Sequence, residues 1–236
     1  MKILPWVRIP AIWIREGGLR DFGWSANSTV SRSTAIAALQ LYIALATRAS
    51  EDWAGPECRL MAELTYTELM EVTGLSRQLV ALGLEGLVVA KRIEVEKKGR
   101  KCRYALLGYT SFGNWFKMPA RSMYNVLHEK HIQSFQMFQK RSVVELDALK
   151  LYLYFAFARD KIKPYSMAAF ETICEKTGVA EKRIPRANAF LLNCGLLANL
   201  SRENVENRKV KEPNKYFLTG YRDLFIGQKL PAAEGA

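Results

Sequence analysis

The stretch LTYTELMEVTGLSRQLVALGLEGLVV, from Leu64 to Val89, carries the signals of two short helices joined by a tight turn. Thr65 and Glu68 have the spacing of a capping box, which satisfies free backbone amides at the start of a helix. Gly74 stands where the first helix must end, a usual place for left-handed backbone. Ser76 can then cap a second helix that runs to about Ala90. The stretch therefore predicts a helix-turn-helix.

The second of these helices has an apolar face and a polar face. The residues expected to face the interior are Leu79, Val80, Leu84 and Leu87, and those expected to face outward are Arg77, Gln78, Ala81 and Glu85. In a helix-turn-helix, the exposed start of the second helix enters the major groove of DNA. Ser76, Arg77 and Gln78 are therefore the candidates for contact with base edges or phosphates.

A hairpin is predicted directly after the helix-turn-helix. Residues 93–96 alternate apolar and charged, residues 97–101 form a basic tip around a glycine, and residues 102–107 read as the returning strand. This order is that of a winged helix. The wing would contact the phosphate backbone or the minor groove through Lys97, Lys98, Arg100, Lys101 and Arg103. The alternative is a solvated hairpin tip, since hairpin ends are often charged.

The same pattern occurs twice. ALQLYIALATR at 38–48 returns as ALKLYLYFAFAR at 148–159, and Thr73-Gly74-Leu75 returns as residues 177–179. Residues 111–141 resemble residues 1–32, so each copy has its own leading strand and loop. We therefore predict a mainly α fold with small β-hairpins (α+β), made of two tandem winged helices. The predicted domains are residues 1–112 and 113–230, followed by a disordered tail at 231–236.

The first copy is expected to begin with a helix from Ser33 or Thr34 to about Ala49, followed by a turn at 50–56. In the second copy, helices are predicted at 143–159, from Ser166 or Met167 to Lys176, and within 180–194. Pro185 is tolerable only in the first turn of a helix, so the last of these helices should start late, near residues 181–184. A strand near 197–200, a polar stretch at 201–214 and a strand at 215–218 would form the second wing.

The second copy carries a weaker positive field, because glutamates are interspersed among its cations. Its candidate DNA contacts are Lys182, Arg183 and Arg186 near the helix start, and Arg208, Lys209 and Lys211 in the wing. A regulatory or dimerising role for this copy is the alternative.

Composition agrees with a nucleic-acid partner and gives little support to catalysis. The formal net charge is +12, and the most abundant polyanions are phosphate backbones. Phosphate-binding and nucleophile motifs are absent, and the only histidines, His128 and His131, are one position too close for the zinc motif HExxH. The four cysteines are far apart and contain no CxxC pair, and in a reducing compartment no disulfide is expected. We therefore expect no enzymatic activity, no metal and no cofactor.

No apolar run is long enough for a membrane span or a signal peptide, so a cytoplasmic, nucleoid-associated protein is expected. The aromatic residues of the two first helices, such as Tyr42 and Tyr152, have the spacing of core residues.

The sequence resembles tandem winged-helix DNA-binding proteins, and in particular plasmid-type replication initiators with two such domains. The resemblance covers most of residues 8–225 and rests on the duplicated module, the Leu-Tyr pairs of the first helices, the Thr-Gly-Leu-Ser-Arg turn at 73–77 and the basic wing at 96–101. It implies binding to repeated origin sequences as a monomer, repression of the protein's own promoter as a homodimer, and recruitment of replication proteins. Pro185 and the mixed charge of the second wing depart from the pattern expected of two winged helices that both bind the major groove.

Three functional classes follow. The chain is predicted to bind double-stranded DNA sequence-specifically, either as a transcriptional regulator or as a replication initiator of a plasmid or mobile element. The alternative is a winged-helix module that binds another protein in a larger assembly, without sequence-specific DNA binding.

Overall fold

The computed structural model describes residues 3–55, 57–98, 101–125, 128–201 and 213–227, in which α-helices alternate with short β-strands. The helices of these ranges are α1 (Ile12–Arg15), α2 (Arg32–Arg48), α3 (Tyr66–Thr73), α4 (Arg77–Val89), α5 (Val143–Phe157), α6 (Phe170–Thr177) and α7 (Ile184–Asn193). The strands are β1 (Trp6–Pro10), β2 (Phe22–Gly23), β3 (Val30–Ser31), β4 (Ser50–Asp52), β5 (Arg59–Leu64), β6 (Ile93–Lys98), β7 (Lys101–Leu106), β8 (Trp115–Pro119), β9 (Tyr124–Asn125), β10 (His128–Ile132), β11 (Ser166–Ala168), β12 (Leu197–Ser201) and β13 (Asn214–Leu218). The expected mixed α+β class is confirmed.

The predicted helix-turn-helix forms from local signals in the sequence. The backbone amide of Glu68 donates to Thr65 Oγ1, and the amide of Thr65 donates to the Glu68 carboxylate, which completes the capping box of α3. Gly74 ends α3 with a φ of 67°, in the left-handed region that glycine adopts without strain. Ser76 Oγ accepts from the amide of Leu79 and caps α4. The two helices meet at a bend of 99°.

The hairpin after α4 is part of a four-stranded antiparallel sheet with the order β4-β5-β7-β6. β6 and β7 pair from Ile93↔Leu106 to Lys98↔Lys101, as the alternating sequence predicts. The predicted turn at 50–56 is wrong in its first part, because residues 50–52 form β4 against the start of β5. This short polar strand exists only through that pairing, which has no local sequence signal.

The second half of the chain has the element order α5, β11, α6, α7, β12 and β13, with the sheet order β11-β13-β12. α7 begins at Ile184 with Pro185 in its first turn, as predicted. The predicted helix start at Ser166 or Met167 is wrong. Ser166 opens a strand that pairs with β13, and its hydroxyl donates to the carbonyl of Phe155, so α6 begins only at Phe170.

The two halves share a continuous apolar core. β1 pairs antiparallel with β8, so that Arg8 faces Lys117 at the centre of the ladder, and the rings of Trp6 and Trp115 stack with centroids 6.3 Å apart. α2 and α5 contact each other and are buried along most of their length. This cross-packing joins the halves over a wide area. The predicted division into domains at residue 112 remains a prediction.

The leading segments also reach across the molecule. The 3-10 turn Gly18–Asp21 contacts α6, while β10 contacts α3. In the described ranges no single helix is long and apolar enough to cross a membrane. Among these ranges only α3 and α4 counted together are long and apolar enough, and the two helices are bent by 99° at their junction.

Candidate nucleic-acid interface

The start of α4 is exposed on the side away from the core. Ser76, Arg77 and Gln78 are all exposed, although the Ser76 hydroxyl is already used as the helix cap. The Arg77 guanidinium lies over the ring of Tyr66, 5.4 Å from its centroid. Sequence reasoning did not single out Tyr66, which restrains Arg77 at the exposed end of the helix.

The remaining exposed residues of α4 fall on one face. The buried side consists of Val80, Gly83, Leu84, Gly86 and Leu87, and the exposed side consists of Arg77, Gln78, Ala81, Leu82, Glu85, Val88 and Val89. Gly83 lets the helix approach α2 closely, because a Cβ there would lie 2.6 Å from Leu41 Cδ1. This close contact with α2 fixes the position of the helix axis. The exposed side chains of α4 therefore form a strip about three turns long on the opposite face.

The basic hairpin ends in a short tip. Lys97 and Lys98 are the last residues of β6, and Lys101 is the first residue of β7, where its exposed ammonium lies 3.8 Å from Glu63 Oε1. Arg100 lies outside the described residues. Because Lys98 pairs with Lys101, the ladder brings these lysines together at one end of the sheet.

The first residues of β7 in the basic hairpin and the start of α4 both lie near the N-terminus of α3. Leu64 pairs with Cys102, so the beginning of β7 lies beside the N-terminus of α3, whose first residue is Tyr66. Lys101 is close enough to Glu68 to help lower the pKa of that carboxyl, although the Thr65 backbone hydrogen bond is the main cause. Arg77 lies over the ring of Tyr66, the first residue of α3. Arg77 of α4 and Lys101 of the hairpin therefore both lie beside the first turn of α3.

Arg103 has a different environment from the tip. Its guanidinium bonds to the Asp52 carboxylate and lies 3.6 Å from Glu96, and its side chain is three-quarters buried. The pKa of Asp52 is lowered, first by the backbone amide of Ala54 and then by Arg103. Arg59 binds Glu94 and Glu96, so two arginines pair the acidic residues of the hairpin strand. The pairing leaves the positive charge of the hairpin concentrated at its tip.

In the second half, Lys182 and Arg186 are exposed at the start of α7. Arg183 instead turns inward: its Nε lies 2.7 Å from Oδ2 of Asp147, a carboxylate of α5 that is 2% exposed. This pair attaches the start of α7 to the central helix α5. Sequence reasoning placed Arg183 among the DNA contacts, and its partner was missed because Asp147 lies in an apolar helix far away in the sequence. Arg208, Lys209 and Lys211 lie outside the described residues.

Other chemical sites find little support among the described residues. A groove of about 670 Å³ lies along β4, β5 and α3 and is lined by a mixture of acidic and basic side chains. Within the described ranges no group of His, Cys, Asp and Glu could hold a metal ion, and the four cysteines are free. His128 and His131 lie on β10, a strand.

Comparison of the chain with protein-family models, with curated proteins and with solved structures found no match. The functional argument therefore depends on the residues and geometry described above.

Proposed function

We propose that the chain is a sequence-specific double-stranded DNA-binding protein whose halves are two tandem winged helices. The proposal is supported by the order helix, strand, helix, helix and two-stranded hairpin in the second half, and by the same order with one additional strand, β4, in the first half. In both halves the second strand of the hairpin is an interior strand of the sheet. The observation that carries it is the exposed start of α4 next to a basic hairpin tip, a surface that can follow a groove and its phosphates together.

Two biological roles fit such a protein, and both derive from the resemblance to plasmid-type initiators. Direct repeats of the bound motif beside the gene would favour a replication initiator, and a single palindrome in a promoter would favour a transcriptional regulator. The competing function is a protein-interaction module. It is favoured by the exposed apolar residues Leu82, Val88 and Val89 on α4 and Val95 on the hairpin.

The salt dependence of DNA binding tests the role of the wing. We expect the logarithm of the association constant to fall steeply with the logarithm of salt concentration, with a slope of about −0.9 per phosphate contact. Alanine in place of Lys97, Lys98, Arg100 and Lys101 should weaken binding to all sequences and flatten this slope by up to about 4.

The matched control removes the same number of charges from other exposed positions, with alanine in place of Arg15, Arg141, Lys161 and Arg222. Both variants have the same net charge, so a purely non-specific attraction would weaken equally in both. If the wing variant bound as tightly and with the same slope as the control, the assignment of the wing would be wrong.

A further inference from the structure

The exposed strip of α4 has an unusual composition for a surface next to DNA. Behind Arg77, the side chains that would face the bases are Gln78, Ala81 and Leu82, followed by Glu85. A glutamine amide can pair with the N6 and N7 edge of adenine, and apolar side chains pack against the C5-methyl group of thymine. No cation that could read guanine lies between Gln78 and Glu85 on this strip.

The corresponding strip of α7 has the opposite chemistry. Gly74 and Gly178 both end the preceding helix in left-handed backbone, which aligns the two turns. Counting from these glycines, Lys182 takes the place of Gln78, and Arg186 takes the place of Leu82. Both Lys182 and Arg186 are exposed. Arginine and lysine are the side chains that pair with O6 and N7 of guanine.

The two halves are connected, so the different side chains at α4 and at the start of α7 belong to one folded unit. The β1–β8 ladder and the packing of α2 against α5 connect the half that carries α4 to the half that carries α7. The Asp147–Arg183 pair further fixes the start of α7, where Lys182 in the preceding 3-10 turn (Glu181–Arg183) and Arg186 in the helix are exposed cations. A single molecule therefore presents two exposed surfaces of different chemistry, with amide and apolar side chains behind Arg77 on α4 and cationic side chains at the start of α7.

We infer that one chain reads a two-part DNA site, with an A·T part contacted by α4 through thymine methyl groups and a guanine-containing part contacted by α7. This inference rests on the proposed function and gives it a specific target chemistry. The apolar side chains Ala81 and Leu82 select thymine, Gln78 selects the adenine edge, and Lys182 and Arg186 select guanine. A two-part site of unlike halves has no internal palindrome.

The decisive probe is DNA in which single atoms or groups are removed. Duplexes enriched from a random pool by the full chain are remade with uracil in place of thymine, which deletes only the C5-methyl group. Loss of each contacted methyl should weaken binding about fourfold, the equivalent of about 0.8 kcal/mol. Replacement of guanine by 7-deazaguanine deletes the N7 acceptor and should weaken binding about fivefold or more at each contacted base.

Protein variants assign each effect to its helix. With Leu82→Ser, uracil should no longer weaken binding at the positions that Leu82 contacts, whereas Val89→Ser should leave the uracil effect unchanged. Val89 is the matched control because it is exposed on the same face but lies at the far end of α4. With Arg186→Ala, the 7-deazaguanine effect should disappear, whereas Lys161→Ala should preserve it.

The outcomes separate this inference from the proposed function. No enrichment of any duplex would contradict sequence-specific DNA binding itself. An enriched duplex whose affinity is insensitive to uracil would overturn the role of α4, and insensitivity to 7-deazaguanine would overturn the role of α7. An apolar strip that serves a protein partner predicts that Leu82→Ser and Val89→Ser leave DNA binding equally unchanged.

Discussion

Lys150 offers a test of what it costs the fold to bury a charged side chain. It lies on the central helix α5, is 4% exposed, and interacts electrostatically with Asp147, Arg183 and Asp21. Burial lowers the pKa of its ammonium from 10.5 to about 8. The folded state therefore releases the Lys150 proton more readily than the unfolded state does, and the charged form is a cost to folding at neutral pH.

The size and sign of this cost follow from the shift in pKa. Because the unfolded state binds more protons between pH 8 and 10.5, the Lys150 contribution makes the protein more stable as pH rises through this window. Below pH 8 the full penalty applies. At about 1.4 kcal/mol per pKa unit, this penalty is about 3 kcal/mol. The lowered pKa already includes the attraction of the ammonium to Asp147, and Arg183 would remain to pair with Asp147 if the lysine were removed.

The substitution Lys150→Met keeps the length of the side chain and removes its charge. We expect a gain in the free energy of unfolding of about 1–3 kcal/mol at pH 7, and a smaller gain, by about 1 kcal/mol or more, at pH 9.5. Urea unfolding at both pH values measures this, with Lys161→Met as the exposed control. A variant that is less stable than the wild type, or a gain that is the same at both pH values, would refute the reasoning.

Three further substitutions test the packing and the caps. Gly83→Val should destabilise the protein by about 1–3 kcal/mol in urea unfolding, because a Cβ at this position would lie 2.6 Å from Leu41 Cδ1; unchanged stability would mean that α2 and α4 are not in close contact. Gln40→Met should raise the thermal midpoint, because the buried Gln40 amide has no hydrogen-bond partner among the described residues; a lower midpoint would contradict this. Thr65→Ala should cost about 1 kcal/mol of stability by removing the cap of α3, whereas Thr67→Ala, at the exposed second residue of the helix, should cost less.

The parts of the fold that were predictable depend on neighbours in the sequence. The capping box at Thr65, the left-handed Gly74 and the late start of the helix at Pro185 each follow from a few adjacent residues. The basic hairpin tip was predictable for the same reason, since a ladder with a short turn brings its end residues together.

The parts that were not predictable depend on residues far apart in the sequence. β4 and β11 are three-residue strands that exist only through pairing with β5 and β13. In the candidate interface, Arg103 and Arg183 have the same local context as the neighbouring cations. Only the folded chain brings Asp52 and Asp147 against them and separates these structural ion pairs from the exposed lysines and arginines.

The most direct test of the central proposal is a selection of duplexes bound by the full chain from a random double-stranded DNA pool at near-physiological salt. Sequence-specific recognition predicts an enriched motif, and its symmetry would show whether one chain or a dimer occupies the site. If no duplex were enriched over the starting pool, the proposal of sequence-specific DNA binding would be contradicted.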